Sequence, residues 1–225
     1  MKSLLRFFTL ILFFSCSKKN KNMEIIMNIE GFKKGKVSLQ KVIDSTLITV
    51  DSVFVNNESP LNLSYDLESP ELFYITIDVS KNDKTLEFFG EKGEIIINSK
   101  LKNFSSEFKV HNSFNDSIYR NYLEIIRRFN FEELDLIKSS IEMKKLKQND
   151  SLIKIQEKIQ ALNKRKALFN LNFAVNNGNS SVAPLIAINN FSESKVLLDT
   201  IIKSMDKEII NSKYGEELKI IYDSN

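Results

Sequence analysis

The chain has 225 residues, of which 42% are hydrophobic, with one cysteine, one histidine and no tryptophan. A single cysteine excludes a disulfide within the chain, and a zinc site built from cysteine and histidine would lack ligands. The 32 basic and 29 acidic residues nearly balance, whereas nucleic-acid-binding domains usually carry a clustered basic face and a pI above about 9. The composition therefore predicts a globular protein without a metal site, a cofactor, a CxxC redox pair or a nucleic-acid partner.

The N-terminus has the layout of a bacterial export signal. Two basic residues precede a short apolar run, and a small residue and the cysteine follow it: Lys2, Arg6, Phe7 to Phe14, Ser15 and Cys16. The run is much shorter than the roughly 20 apolar residues that span a bilayer, and its charged start is typical of a signal peptide. Removal of residues 1–15 would leave 30 basic against 29 acidic residues. We therefore expect no strong charge steering.

Cys16 is the predicted lipidation site. The sequence Phe13-Phe14-Ser15-Cys16 resembles a lipobox, where lipoprotein signal peptidase cuts before a diacylglycerated cysteine. Lipidation would consume a thiol that is a liability in an oxidising compartment, and two acyl chains hold a protein on a membrane almost permanently. We expect a lipid anchor, with residues 16–22 as a tether. The alternatives are a cleaved secretory signal and an uncleaved anchor.

The tether also bears on the location of the protein. Some bacteria use an acidic run just after the cysteine as a surface-export cue, and residues 17–21 contain lysines instead. The sequence therefore favours the periplasmic face of the outer membrane.

Residues 23–111 are predicted to form short β-strands. Apolar residues alternate with polar ones, as at Ile25, Met27 and Ile29, and β-branched and aromatic residues dominate segments that recur about every ten residues. Glycine, proline and asparagine separate the segments. This pattern predicts an antiparallel β-sandwich or a small open barrel rather than a parallel sheet.

Residues 112–225 show a helical period instead. Leu134, Ile137 and Ile141, for example, share one helix face. The longest helix is predicted over residues 151–176, with Lys166 interrupting its apolar face. N-caps are predicted at Asp116 and Asp150-Ser151, and two final helices over residues 192–205 and 212–222. The predicted fold class is therefore α+β, with a β-rich domain followed by a helical region.

Five triplets in the chain read Asp, then Ser or Thr, then Thr or an apolar residue. They are similar to an O-glycosylation signal of exported proteins in some Gram-negative bacteria. Two of the five also stand at predicted helix starts, where Asp and Ser serve as caps. The candidate acceptors are Ser45, Ser52, Ser117, Ser151 and Thr200.

No residue pattern is typical of a catalytic site. His111 lies between the strands and the helices and is interpreted as an ordinary hydrogen-bonded junction residue. The acidic pairs Glu132-Glu133 and Glu216-Glu217 are interpreted as solvated helix surface. The basic runs Lys144-Lys145-Lys147 and Lys164-Arg165-Lys166 are also interpreted as a solvated helix face, and the alternative is contact with anionic headgroups or glycan. We therefore predict that the protein is not an enzyme. The alternative, an enzyme using only carboxylate, Ser, Tyr or Lys groups on a substrate such as glycan, has no support from residue spacing.

Several short motifs follow one pattern along the chain. The first is a strand, a glycine turn and a strand ending in Leu-Gln, over residues 25–40, and an Asp-Ser pair follows at 51–52 (or 44–45). Next come a proline before an aromatic strand at 70–74 and a Phe-x-Glu-x-Gly-x-Ile-like turn at 89–95. The last two are a Val-x-Gly-Ser-x-x-Asn-like junction at 110–115 and a late helical segment at 179–183. The pattern resembles a domain of unknown function in Gram-negative envelope lipoproteins. Asn112 replaces the expected glycine, and asparagine also tolerates left-handed backbone angles.

In many members this domain directly precedes a thioredoxin-like domain, so the resemblance implies a thioredoxin-fold envelope protein as a partner. Cys16 is the only cysteine, so the family's disulfide exchange is not carried over. We predict a non-catalytic, lipid-anchored cell-envelope lipoprotein that acts as a binding or docking module. The alternative is an accessory, or a truncated N-terminal part, of a thioredoxin-like thiol-disulfide interchange lipoprotein.

Overall fold

The computed structural model describes residues 21–57, 59–79 and 83–225. Within these ranges eight strands come first: β1 Met23–Glu30, β2 Lys34–Ile43, β3 Thr46–Asn56, β4 Leu61–Tyr65, β5 Glu71–Ile77, β6 Lys84–Gly90, β7 Gly93–Lys100 and β8 Phe108–His111. Six helices follow: α1 Phe114–Lys145, α2 Asn149–Asn176, α3 Val182–Phe191, α4 Lys195–Ser204, α5 Lys207–Ile210 and α6 Lys213–Ser224. The predicted α+β class, strands first and helices second, is confirmed.

The strands form two sheets of four, as a sandwich requires. Sheet A has the order β4-β1-β7-β8, and sheet B has the order β3-β2-β5-β6. Every second residue of β1 and β5 is buried, so Ile25 and Ile97 of sheet A share one core with Leu39, Phe73 and Phe88 of sheet B. The alternation that predicted the strands thus also builds the core between the sheets.

One strand pairing differs from the prediction of antiparallel neighbours. Strands β1 and β7 run parallel, in register from Met23 opposite Gly93 to Glu30 opposite Lys100, while the other pairings between the described strands are antiparallel. A parallel partner can be reached only by a long crossover, and here that crossover includes all of sheet B. Alternation specifies which face of a strand is buried and not which strand lies beside it, so the sequence could not predict this pair.

The helices surround a second apolar core next to sheet B. Its buried members come mostly from α3, α4 and α6: Val182, Ile186, Leu198, Ile201 and Leu218. Phe89 of β6 belongs to this second core, because its ring makes edge-on contacts with Tyr119 at 5.7 Å and Tyr214 at 6.1 Å between ring centroids. Aromatic contacts therefore join the sandwich to the first and last helices.

Helix α1 covers the outer edge of β6. The N–H of Phe89 donates to the Asp116 carboxylate at 2.9 Å, and the Phe89 carbonyl accepts from the Ser113 hydroxyl at 3.0 Å. Arg120 donates to the Glu87 carbonyl and pairs with Asp116. Side chains of α1 thus occupy edge groups that would otherwise be open to pairing with another strand.

The helix boundaries differ from the predictions in three places. The longest helix is α1, with 32 residues, rather than α2, with 28. The N-cap of α1 is Ser113, whose hydroxyl accepts from the N–H of Asp116, and the N-cap of α2 is Gln148, with no side-chain capping bond. The helix predicted over 192–205 begins at Lys195, and α5 separates it from α6. Ser113 and Asp116 lie within one turn of each other, and either side chain could cap α1. Ser113 is the N-cap because the Asp116 carboxylate accepts from the N–H of Phe89 in the interior.

Candidate functional site

A cluster of three charged side chains lies where sheet B meets the last helix. Glu71, the first residue of β5, has only 4% of its side chain exposed and accepts hydrogen bonds from Lys41 of β2 and Lys213 of α6. Lys41 is 11% exposed, whereas Lys213 is 40% exposed. Both Lys41 and Glu71 occupy core-facing positions of their strands. A buried carboxylate is tolerated at such a position only when it is paired and hydrogen-bonded.

The surroundings of Lys41 hold it in the charged form. Burial lowers the pKa of its ammonium group, but the hydrogen bond and the negative charge of Glu71 outweigh burial, and the net effect raises that pKa above 10.5. The ammonium also lies 5.1 Å from the ring centre of Tyr65, a favourable cation–π distance. The charges of the cluster are therefore satisfied within the fold.

Backbone contacts beside the cluster connect the same two elements. The N–H of Leu72 donates to the Tyr214 hydroxyl at 3.1 Å, and the N–H of Lys213 donates to the Ser69 hydroxyl at 3.0 Å. Burial raises the pKa of Tyr214 well above its ordinary value of 10, so this phenol stays protonated. The cluster and these bonds together hold α6 against the start of β5.

A surface cavity of about 700 Å³ opens beside this cluster. Acidic residues Asp44, Glu68 and Glu217 line it together with Tyr74 and the two lysines. Both ammonium groups donate to the Glu71 carboxylate, so the cluster joins the sandwich to the last helix.

The motif residues of the sequence pattern meet at a second junction. The Glu91 carboxylate accepts from the N–H groups of Phe114 and Asn115, at 2.6 and 3.0 Å, and from the Asn115 side chain at 2.6 Å. The side-chain amide oxygen (Oδ1) of Asn115 in turn accepts from the Ser180 hydroxyl at 2.8 Å. Asn112 has φ +62°, the left-handed angle expected where the pattern has glycine. These motifs therefore connect the β6–β7 turn to α1 and α3.

Helices α1 and α2 form a long hairpin that extends beyond the second core. The buried residues of α1 all lie in its first nine positions, the last being Tyr122, and residues 123–161 include none. At 1.5 Å per residue, α1 is about 48 Å long. No helix in the described ranges is long and apolar enough to cross a membrane.

One side of this hairpin exposes apolar side chains. Phe131, Leu134, Ile137 and Ile141 have 42–60% of their surface exposed and follow one another at three- and four-residue steps. We call these four residues the α1 stripe. The helical period that predicted a shared face for three of them is confirmed, and the structure adds that this face is uncovered. An exposed apolar face of this kind is a candidate interaction site.

The polar residues between α1 and α2 correct two interpretations. Glu132 pairs with Arg165 and Glu133 with Lys166 across the hairpin, so they are not merely solvated surface. Lys166 is half-buried and also donates to the Asn130 side chain at 2.8 Å, which explains why a lysine interrupts the apolar face of α2. These pairs connect the two helices of the hairpin.

The candidate modification sites are scattered over the molecule rather than brought together. Ser45 lies in the β2–β3 turn, Ser52 in β3, Ser117 in α1, Ser151 in the first turn of α2 and Thr200 in α4, and all are exposed except Ser151, which is half-buried. Two of the neighbouring carboxylates serve the fold, because Asp51 accepts from the N–H of Ser64 and Asp116 from that of Phe89. Cys16 lies outside the described residues.

His111 ends β8 and is exposed on the outer face of sheet A, opposite Ile96.

The residues that sequence reasoning missed are Lys41, Glu71 and Lys213. The sequence carries a signal for Lys41 and Glu71, because each takes the place of an apolar residue in the alternation of its strand. The two patterns are Val37-x-Leu39-x-Lys41 and Glu71-x-Phe73-x-Ile75. Among the described residues, no group of three or more His, Cys, Asp or Glu side chains is arranged to hold a metal ion.

Comparison with known proteins gives one family match. Residues 23–119 match the model of a family described as Domain of unknown function (DUF4369). The match runs from the start of β1 into the first turns of α1, and so includes the junction built by Glu91, Ser113 and Asn115. Neither the comparison with curated proteins nor that with solved structures gives a match. Residues 23–119, the sandwich with the start of its first helix, are therefore similar to the DUF4369 family of domains of unknown function.

Proposed function

We propose that this protein is a non-catalytic, lipid-anchored lipoprotein of the cell envelope that acts as a docking module. The lipobox-like sequence at Cys16 supports the anchor. The observation that supports the docking role is a contrast between buried contacts within the fold and an apolar helix face that the described residues leave exposed. The buried carboxylates Glu71 and Asp116 hold the sandwich and the helices together, whereas the α1 stripe leaves four large apolar side chains uncovered.

The second candidate is an accessory role in envelope thiol-disulfide exchange, with a thioredoxin-fold protein as the partner. The family match over residues 23–119 favours it, because the motifs of this segment resemble domains that precede thioredoxin-like domains. In this role the protein would position the redox protein and take no part in electron transfer. The periplasmic face of the outer membrane is the location that suits either candidate.

Intact mass spectrometry of the protein purified from its native membrane tests the anchor. We expect a chain that begins at Cys16 and carries a diacylglyceryl group and a further acyl chain, because the thiol is the only one in the sequence. Additional hexose-type increments would identify O-glycosylation, and peptide mapping would assign them among Ser45, Ser52, Ser117, Ser151 and Thr200. A mature chain with a free Cys16 thiol, or one that still begins at Met1, contradicts the anchor.

In-cell cross-linking followed by mass spectrometry tests the docking role. We expect the double substitution Leu134→Ser and Ile137→Ser to reduce capture of specific partners by at least about tenfold, because central apolar contacts carry most interface energy. Phe54→Ser is the control, since Phe54 is also an exposed apolar residue, at 61%, but lies on β3 of the sandwich.

Partners captured equally by the double variant and the wild type would contradict docking through the α1 stripe. A thioredoxin-fold protein among the partners that the double variant loses would favour the accessory role. Circular dichroism of each variant shows whether a loss of capture reflects a loss of folding.

A further inference from the structure

The far end of the hairpin combines exposed apolar and basic side chains. We call residues 144–158 the hairpin end. Leu146, in the α1–α2 connection, is 62% exposed, and Ile153 on α2 is 55% exposed. The segment carries five lysines and two acidic residues: Lys144, Lys145, Lys147, Lys154, Lys158, Asp150 and Glu157. Its net charge of +3 equals that of the whole chain.

These lysines differ from four of the basic residues nearer the base of the hairpin. Arg128, Lys138, Arg165 and Lys166 each pair with a carboxylate within 4 Å. In the part of the chain that the structure describes, none of the five lysines of the hairpin end has such a partner. Lys144 and Lys145 suit the negative end of the α1 dipole. The dipole does not account for Lys147, Lys154 or Lys158.

We propose that the hairpin end binds the anionic surface of a phospholipid bilayer. Lysines attract acidic headgroups, while Leu146 and Ile153 can enter the boundary between headgroups and acyl chains, the arrangement typical of interfacial membrane contacts. A lipid surface suits this segment better than a protein partner does, because five lysines without a carboxylate partner among the described residues, together with two exposed apolar side chains, form a charged patch rather than a shaped pocket.

The inference rests on the lipid anchor of the proposed function. An anchored protein already lies at a membrane, so the effective concentration of lipid headgroups around it is high and a weak second contact is sufficient. The hairpin end would also fix the orientation of the sandwich and of the α1 stripe relative to the membrane.

The test uses the full lipidated chain with Leu146→Cys, because acylated Cys16 leaves the new thiol as the only one to label. An environment-sensitive fluorophore on this thiol reports its surroundings in vesicles of phosphatidylcholine with or without phosphatidylglycerol. We expect a blue shift of emission only with phosphatidylglycerol, and its loss at high salt. Each additional Lys→Gln substitution at 144, 145, 147 or 154 is expected to weaken the contact by about fivefold. Phe54→Cys, labelled in the same way, is the control.

Several results would overturn the proposal. The first is an emission from position 146 that is unchanged by phosphatidylglycerol, and the second is a shift that survives replacement of the lysines. The third is an equal shift at position 54. The fourth is a shift that depends on protein concentration without vesicles, which would show that a second copy of the chain covers the hairpin end. Flotation of the vesicles reports on the anchor separately. If the protein does not float with phosphatidylcholine vesicles, the anchor fails, and Leu146→Cys combined with Cys16→Ser, labelled at position 146 alone, still tests the hairpin end with added phosphatidylglycerol vesicles.

Discussion

Replacing Glu71 by alanine is expected to lower the free energy of unfolding by about 3–5 kcal/mol, the usual loss when one partner of a buried ion pair is removed. The substitution leaves the Lys41 ammonium without its carboxylate at a position that is only 11% exposed. Lys213 contributes less to the loss because, at 40% exposure, its ammonium can be hydrated. Urea denaturation at neutral pH followed by circular dichroism measures the change.

Two controls separate pairing from the simple loss of a side chain. Glu30→Ala removes an exposed pair with Lys100 and is expected to change stability by less than about 1 kcal/mol. The double variant Lys41→Met and Glu71→Leu removes both buried charges and is expected to regain most of the stability lost in Glu71→Ala. If the double variant is as unstable as the single one, packing rather than charge explains the effect of Glu71.

The same pair predicts a pH dependence. The pKa of Lys41 is raised in the folded protein, so the pair contributes fully below the unfolded value of about 10.4 and is lost as pH rises through the folded value. We therefore expect the stability difference between wild type and Glu71→Ala to be constant from neutral pH to about pH 10 and to shrink above it. A difference that grows in alkali would contradict the assignment.

Replacing Gly215 by alanine is expected to destabilise the protein by about 1–3 kcal/mol, although alanine is favoured over glycine in helices by about 1 kcal/mol. A Cβ at this position of α6 would lie 2.1 Å from the carbonyl oxygen of Ile209 and 2.6 Å from that of Ile210. These oxygens belong to the backbone of α5, which cannot rotate away as a side chain can. The helix would have to move, and with it Lys213 and Tyr214.

Gly215→Ala is expected to lower stability, whereas helix propensity alone predicts that alanine raises it. Asn163→Ala, at an exposed position of α2, is the control for helix propensity and is expected to leave stability unchanged or slightly higher. Denaturation midpoints of both variants measure the comparison. Gly215→Ala as stable as the wild type would show that α5 and α6 lie farther apart than the structure places them.

The strands and helices themselves could be predicted because their signals are local. Alternation at Ile25, Met27 and Ile29 reports one buried strand face, and the spacing of Leu134, Ile137 and Ile141 reports one helix face. Asn112 was also interpretable, since few residues other than glycine adopt a left-handed angle readily. Each of these inferences depends on residues within one or two turns of the chain.

The errors arose where the deciding contact is distant in sequence. Asp116 is a plausible N-cap, but it lies inside α1 because the N–H of Phe89, 27 residues away, binds its carboxylate. Lys166 interrupts an apolar face because Glu133 lies opposite it, 33 residues away. Lys41 and Glu71 are unusual in core-facing positions, yet only the fold shows that they meet each other and Lys213.

By itself the sequence determined the division into strands and helices and a composition with one thiol and balanced charge; export and lipidation at Cys16 stay predictions from the sequence. Only the tertiary structure decided that β1 and β7 pair in parallel, that Glu71 joins two lysines from opposite ends of the chain, and that the α1 stripe and the hairpin end lie uncovered. The physical reason is the range of the interactions. Period and propensity act within a few residues, whereas pairing, burial of charge and exposure of a helix face depend on which distant segments fold against one another.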